Sequence, residues 1–252
     1  MTDLRNELPD SQEALATVTD PATDDADLAS VIPATAELDA RAHTVGELAT
    51  TPLDSQFSFL PGDPMAELRP TQERMEFIAA GGEQIAARIG HGYVYRTTVP
   101  QLMATPLLPA SIGDSAAINE LSLALASSLA DSVDLVAALP ADPAFDSTRE
   151  QAGAAVERYE EWIVDYLAAL RNGDAEQVQG FIRELDALRA DLEQRITDSL
   201  LVLRSDLDRQ IIDLAGDDSS RFVIPMGQSG HIWSDRYANL LDTWNRAEYI
   251  PM

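Results

Sequence analysis

Between Leu185 and Leu214 the chain places Leu185, Leu188, Leu192, Ile196, Leu200, Leu203, Leu207, Ile211 and Leu214 at steps of three and four. The mean step is about 3.6 residues, the repeat of a straight amphipathic α-helix rather than the 3.5 that winds a left-handed coiled coil. Unbroken from Asp174 to Ala215, such a helix is on the order of 60 Å long at 1.5 Å per residue. One apolar stripe of that length needs cover along all of it. The preceding helix, ending at Arg171 with Val156, Tyr159, Ile163, Tyr166 and Leu170 on one face, covers only about half. Asn172-Gly173 is a helix stop, and Asp174 with Gln177 three residues on resembles a capping box, so the two helices form a hairpin. The rest of the stripe must then be met by residues 114–139 or by another protomer. A protein partner or a homo-oligomer through the 174–215 helix is therefore expected.

The remaining segments predict a mainly α fold with one or two short strands and an acidic N-terminal arm. Residues 1–56 hold no Phe, Tyr or Trp and abound in Asp, Glu, Thr, Ala and Pro, so by composition they read as an extended, disordered arm. Residues 57–140 read as a mixed helix and strand segment. A short helix enters at Pro70-Thr71 and breaks at Gly81-Gly82, and a helical turn spans Glu83 to Ile89. The stretch GYVYRTTV, Gly92 to Val99, alternates like a strand and stops at Pro100. A helix begins at Asp114 or Ser115, carries Ile118, Leu121, Leu125, Leu129, Val133, Val136 and Leu139, and ends at Pro140. Residues 141–216 are the hairpin. In the last segment, 217–252, RFVIPM reads as a buried strand followed by a tail.

Charge narrows the partners. The chain carries 43 acidic residues against 17 basic ones, all arginine, for a net charge of −26. Such self-repulsion is tolerated where salt screens it, which points first to a halophilic, salt-adapted protein and second to a very acidic protein of a high-GC bacterium. No basic stripe exists to neutralise phosphates, so nucleic acid is not an expected ligand. The most apolar helix, Ile118 to Leu139, still carries Glu120, Asp131 and Asp134, a poor membrane span. With no basic and apolar leader visible, a soluble, cytoplasmic protein without membrane contact is expected.

Chemistry is sparse in the pattern. There is no cysteine, and the three histidines, His43, His91 and His231, lack metal-ligand spacing. Neither a phosphate-cradling glycine loop nor a dinucleotide fingerprint occurs, so no metal and no cofactor is expected. Ser229, in Gly227-Gln228-Ser229-Gly230-His231, is the one serine in a suggestive setting. A nucleophile elbow needs G-x-S-x-G; Gly227 fits, but position 231 is histidine and Gly230 sits one place early. Ser229 is thus a weak catalytic candidate.

The whole tail carries a different signal. Gly227, Gln228, Ser229, Gly230, His231, Ser234, Tyr237, Leu240, Trp244, Glu248, Tyr249, Pro251 and Met252 follow a short apolar run, and together resemble the C-terminus of the penicillin acylase (penicillin amidase) family. The stretch GHGYVYRTTVPQLM is also similar to a glycine-rich helical segment of that family, at odds with a strand over the same residues. The resemblance implies an N-terminal-nucleophile amide hydrolase with a four-layer αββα sandwich, made from a precursor longer than this chain. It implies no catalytic role for the tail serine. No counterpart of the family's internal cleavage site, or of its oxyanion-supporting asparagine and arginine, stands out here. Thr2, exposed by methionine removal, is the one other nucleophile the pattern offers. The sequence thus supports a non-catalytic interaction or structural module first, and a truncated or split amide hydrolase needing a complementary chain second.

Overall fold

The computed structural model describes residues 2–50, 64–106 and 114–216, with side chains described over 10–24, 26–50, 72–106 and 114–214. The chain divides into two units, Met1–Ile211 and Ile212–Met252, and of the second only the last helical turn, to Gly216, is described. The expected segments 1–56 and 57–140, and most of 141–216, thus fall within one unit. The strand expected over RFVIPM lies outside the described residues.

The described residues are helical, with no strand among them: α1 Thr2–Thr19, α2 Asp25–Ala29, α3 Val31–Thr50, α4 Pro64–Thr98, α5 Ser115–Ala137, α6 Asp146–Asn172 and α7 Ala175–Gly216. A single 3-10 turn, Val99–Gln101, follows α4. None of these helices is long and apolar enough to cross a membrane.

The hairpin forms as its end signals require. Gly173 takes the left-handed conformation, φ 73°, and its amide and that of Asp174 return to the carbonyls of Leu170 and Ala169. Asp174 then accepts the Gln177 amide at 3.0 Å and starts α7. The α6 face of Val156, Tyr159, Ile163, Tyr166 and Leu170 is buried, with Trp162 stacked on Tyr166 at 4.6 Å. On α7 every stripe residue except half-buried Leu188 is buried. Asp114 caps α5 through the Ala116 amide. Past Leu125 the α5 face turns, so Ser132 is buried and Val133 is half exposed, the reverse of the apolar spacing.

Three sequence expectations are corrected. The segment read as a disordered arm contains α1, α2 and α3. Its buried residues Val31, Leu38, Ala42 and Ala49 lie seven, four and seven apart, a sparse stripe that reaches the core because α3 packs along α4. Small alanines permit that approach: a Cβ on Gly46 would sit 3.5 Å from the Ala79 Cβ. Gly92 to Thr98 is not a strand, and Gly81-Gly82 is not a break, because α4 runs through both. Ala79, Gly82, Ile85, Ala86, Ile89, Gly92, Tyr95 and Val99 are buried at helical steps, and burial of that face outweighs the β-propensity of Tyr, Val and Thr. Here the helix implied by the family likeness, rather than the residue alternation, matches the chain.

α4 also holds α1. Arg96 donates to the carbonyls of Thr17, Val18 and Thr23, at 3.1, 2.7 and 3.0 Å. The last turn of α1 has no basic residue of its own, so a distant arginine satisfies its orphan carbonyls and opposes its dipole.

Candidate functional site

The residues nominated from the tail, Gly227, Gln228, Ser229, Gly230, His231, Tyr237, Trp244, Glu248, Tyr249 and Pro251, lie outside the described residues. Thr2 is the first residue of α1. Of the described histidines, His43 is exposed between Glu47 and Glu83, at 3.4 and 3.7 Å. His91 is in a different setting.

Ala138 and Pro140 end α5, and the chain turns through Asp142 before α6. The Asp142 carboxylate is 1% exposed, the most buried charge of the described residues. Arg88 of α4 reaches it with Nε at 3.1 Å and Nη2 at 3.3 Å, and His91 Nδ1 lies 3.2 Å from Oδ2. The Ala144 amide donates at 3.0 Å. Arg88 also lies 3.5 Å from the half-exposed Asp206 of α7. Burial pushes the Asp142 carboxyl upward, but hydrogen bonds from Arg88, the Ala144 amide and His91, with the Arg88 charge, hold it below its ordinary value. One helical turn along, Tyr95 stacks on Phe145 at 4.1 Å and donates to the Pro140 carbonyl at 2.8 Å.

Burial chiefly pushes the Tyr95 phenol up to about 12, with Asp146 and Asp142 adding and Arg149 opposing. Its neutral form is the folded one, so its contribution is intact below about pH 10 and is lost as pH climbs toward about 12, at roughly 1.4 kcal/mol per unit. Tyr95→Phe should therefore cost about 1 kcal/mol at neutral pH through the lost hydrogen bond. It should also flatten the alkaline fall in stability measured by denaturant titration between about pH 10 and 12. Equal slopes for the two proteins would contradict that assignment.

A second polar cluster surrounds Met103, a buried non-glycine residue at φ 57°. Ser132 Oγ accepts the Met103 amide at 2.9 Å, Arg189 of α7 donates to the Met103 carbonyl, and Ser128 donates to the Ala104 carbonyl. Tyr159 donates to Ser128 Oγ at 3.3 Å. Three helices thus hold a strained turn, a conformation that persists only when over-determined.

The chemical capacity of these groups follows from their partners. His91 with Asp142 has the form of a base with its orienting carboxylate, but no hydroxyl among the described residues hydrogen-bonds His91. The buried and half-buried hydroxyls are engaged elsewhere. Ser128 and Ser132 hold the Met103 turn, and Thr148 pairs with Ser199 at 2.7 Å. Burial raises the Tyr159 phenol, which makes it a hydrogen-bond donor rather than a base. No three metal-ligating side chains converge among the described residues. Sequence reasoning missed Arg88 and Asp142, since a single carboxylate among 43 acidic residues carries no mark. The Pro140-x-Asp142-Pro143 turn was the one available signal.

Neither the curated proteins nor the solved structures give a match to the chain. The family model for penicillin amidase, in contrast, matches residues 96–252. That range takes in α5, α6 and α7 as well as the last 32 residues on which the resemblance rested. With more than half its length matched, the chain belongs to the penicillin amidase family.

Proposed function

We propose that this chain is a helical, non-catalytic member of its family, acting as an interaction or structural module in a salty cytoplasm. The observation carrying this reading is how its buried and half-buried polar groups are used. Ser128, Ser132, Thr148, Ser199, Arg189 and Asp142 each fasten one helix to a turn or to another helix. Exposed apolar residues on the hairpin, Val164 of α6 and Leu201 and Val202 of α7, support contact with a partner or a second copy. Purified chain in molar salt should leave a chromogenic acyl-amide unhydrolysed. Turnover lost on Ser229→Ala would overturn the proposal and make Ser229 the nucleophile, whereas turnover surviving that change would point to another residue.

The family match favours a second reading, an amide hydrolase that works only with a complementary chain. Turnover that appears on co-expression with a family member's nucleophile-bearing portion, and not with either chain alone, would establish it. The salt-adapted part of the proposal has its own test. With a net charge of −26, lowering salt from about 1 M to about 0.01 M lengthens the Debye length from roughly 3 to 30 Å and unmasks repulsion across the molecule. The helical circular dichroism and the thermal midpoint should both fall on that dilution. Values that stay constant over the range would refute salt adaptation.

A further inference from the structure

The two described histidines present their ring nitrogens differently. His43 is 68% exposed, and both its nitrogens face carboxylates, Nε2 toward Glu47 at 3.4 Å and Nδ1 toward Glu83 at 3.7 Å. Whichever nitrogen of the neutral ring is bare, a carboxylate oxygen stands before it and hinders an incoming electrophile. His91 is 30% exposed, and among the described residues only its Nδ1 meets a carboxylate, Asp142 Oδ2 at 3.2 Å. A carboxylate accepts and does not donate. In the neutral ring the proton therefore sits on Nδ1 and the lone pair on Nε2.

Three features hold that lone pair ready. Arg88 and the Ala144 amide fix the Asp142 carboxylate, which fixes the ring and pushes electron density toward its far nitrogen. Nε2 has no hydrogen-bond partner among the described residues and is not buried, since the one buried unpartnered side-chain atom there is Gln210 Oε1. Space is open alongside, because a Cβ on the neighbouring Gly90 would meet nothing within 4 Å. With no serine or threonine hydroxyl bonded to it among the described residues, the imidazole has nothing to activate and is itself the nucleophile.

The charges around the ring select the electrophile. Asp142, Asp206 and Arg88 sum to −1, on a chain of net charge −26, so a dianionic phosphoryl donor is repelled and a neutral acyl donor is not. We propose that His91 is an acyl-acceptor site, taking the acyl group of small, uncharged, activated esters on Nε2. The Nε2 lone pair attacks the acyl carbon, the ester C–O bond breaks, and the phenoxide or alkoxide leaves with its electron pair. Nδ1 keeps its proton against Asp142, so the adduct is an acylimidazolium. Water then adds to the acyl carbon and the Nε2–C bond breaks, returning the lone pair to Nε2. A carboxylic acid departs and one proton passes to solvent. An amine leaves an amide far less readily than a phenoxide leaves an ester, so this chemistry goes beyond the functional reading above and stands apart from its acyl-amide test.

Two measurements on the full-length chain in molar salt test it. Under limiting diethyl pyrocarbonate, whose histidine adduct is stable enough to map by peptide mass, His91 should label at least about threefold faster than His43. Exposure alone, 68% against 30%, favours His43, so the two accounts predict opposite orders. With p-nitrophenyl acetate, the protein-dependent release of nitrophenolate should vanish in His91→Gln and persist in His43→Gln. Asp142→Asn should lower it about tenfold with circular dichroism unchanged, the mark of a positioning residue. If that variant does not fold, the labelling order in the unaltered chain decides. His43 labelling first, or release that survives His91→Gln, would overturn the proposal. Release lost on Ser229→Ala would place the acyl group on the serine and overturn it too, as would phosphorylation rather than acetylation of His91 by acetyl phosphate.

Discussion

Asp142→Ala is expected to lower stability by about 3–5 kcal/mol, enough to unfold many domains of this size, because it leaves Arg88 charged, 11% exposed and stripped of its closest partner. The loss has two sources. The Arg88 guanidinium keeps only the longer contact to Asp206, and the turn before α6 loses the carboxylate that accepts the Ala144 amide. Denaturant unfolding measures it directly. Asp142→Asn, which retains size and one acceptor, should cost less, and Arg88 with Asp142 replaced together should cost less than the sum of the single changes. A simple sum would mean that the pair is not coupled.

The same carboxylate predicts an acid limb. Its folded-state pKa is lowered from 3.8, so its stabilisation is present above that value and is lost as pH falls through the lower folded value. In Asp142→Asn that part of the acid dependence should be missing. A variant with the parent's acid profile would show that other carboxylates control it.

Gly92 and Gly90, two residues apart in α4, should respond to alanine with opposite signs. At Gly90 nothing lies within 4 Å of an added Cβ, so Gly90→Ala should gain about 0.5–1 kcal/mol from helix propensity. Gly153 and Gly180 face equally open space and should add similar gains. At Gly92 the new methyl would press on Leu203 and Val18, both with no exposed surface and enclosed by the core. Overpacking of that kind costs about 1–3 kcal/mol, so Gly92→Ala should be a net loss of about 1–2 kcal/mol and Gly92→Leu a larger one. Thermal midpoints of the two alanine variants, one above and one below the parent, are the measurement. A rise at both positions would remove the close approach of α4 to α7.

What could be read in advance divides along a physical line. The hairpin was legible because its signals are local: a left-handed glycine at 173, a capping aspartate at 174, and a stripe whose period needs no partner to be recognised. The Asp114 start of α5 is legible for the same reason. The helix over Gly92–Thr98 was misread because its residue types favour strands, while the face that decides the matter is buried against residues about a hundred positions away. α1 and α3 were misread because acidic, aromatic-free composition conceals a stripe of only a few apolar residues, which gains value only once α4 lies beside it.

The candidate polar groups show the same division. Arg88, His91 and Asp142 are ordinary in sequence, and only the turn after α5 brings them within hydrogen-bond distance. The sequence alone determined that a long helix needed cover beyond its hairpin partner, because an apolar stripe must leave water whatever surrounds it. It nominated residues 114–139 or another protomer for that role. Only the tertiary structure assigned the cover to α4 and α1, because the choice among possible partners depends on shape: a glycine where two helices must nearly touch, and an arginine one turn away from it.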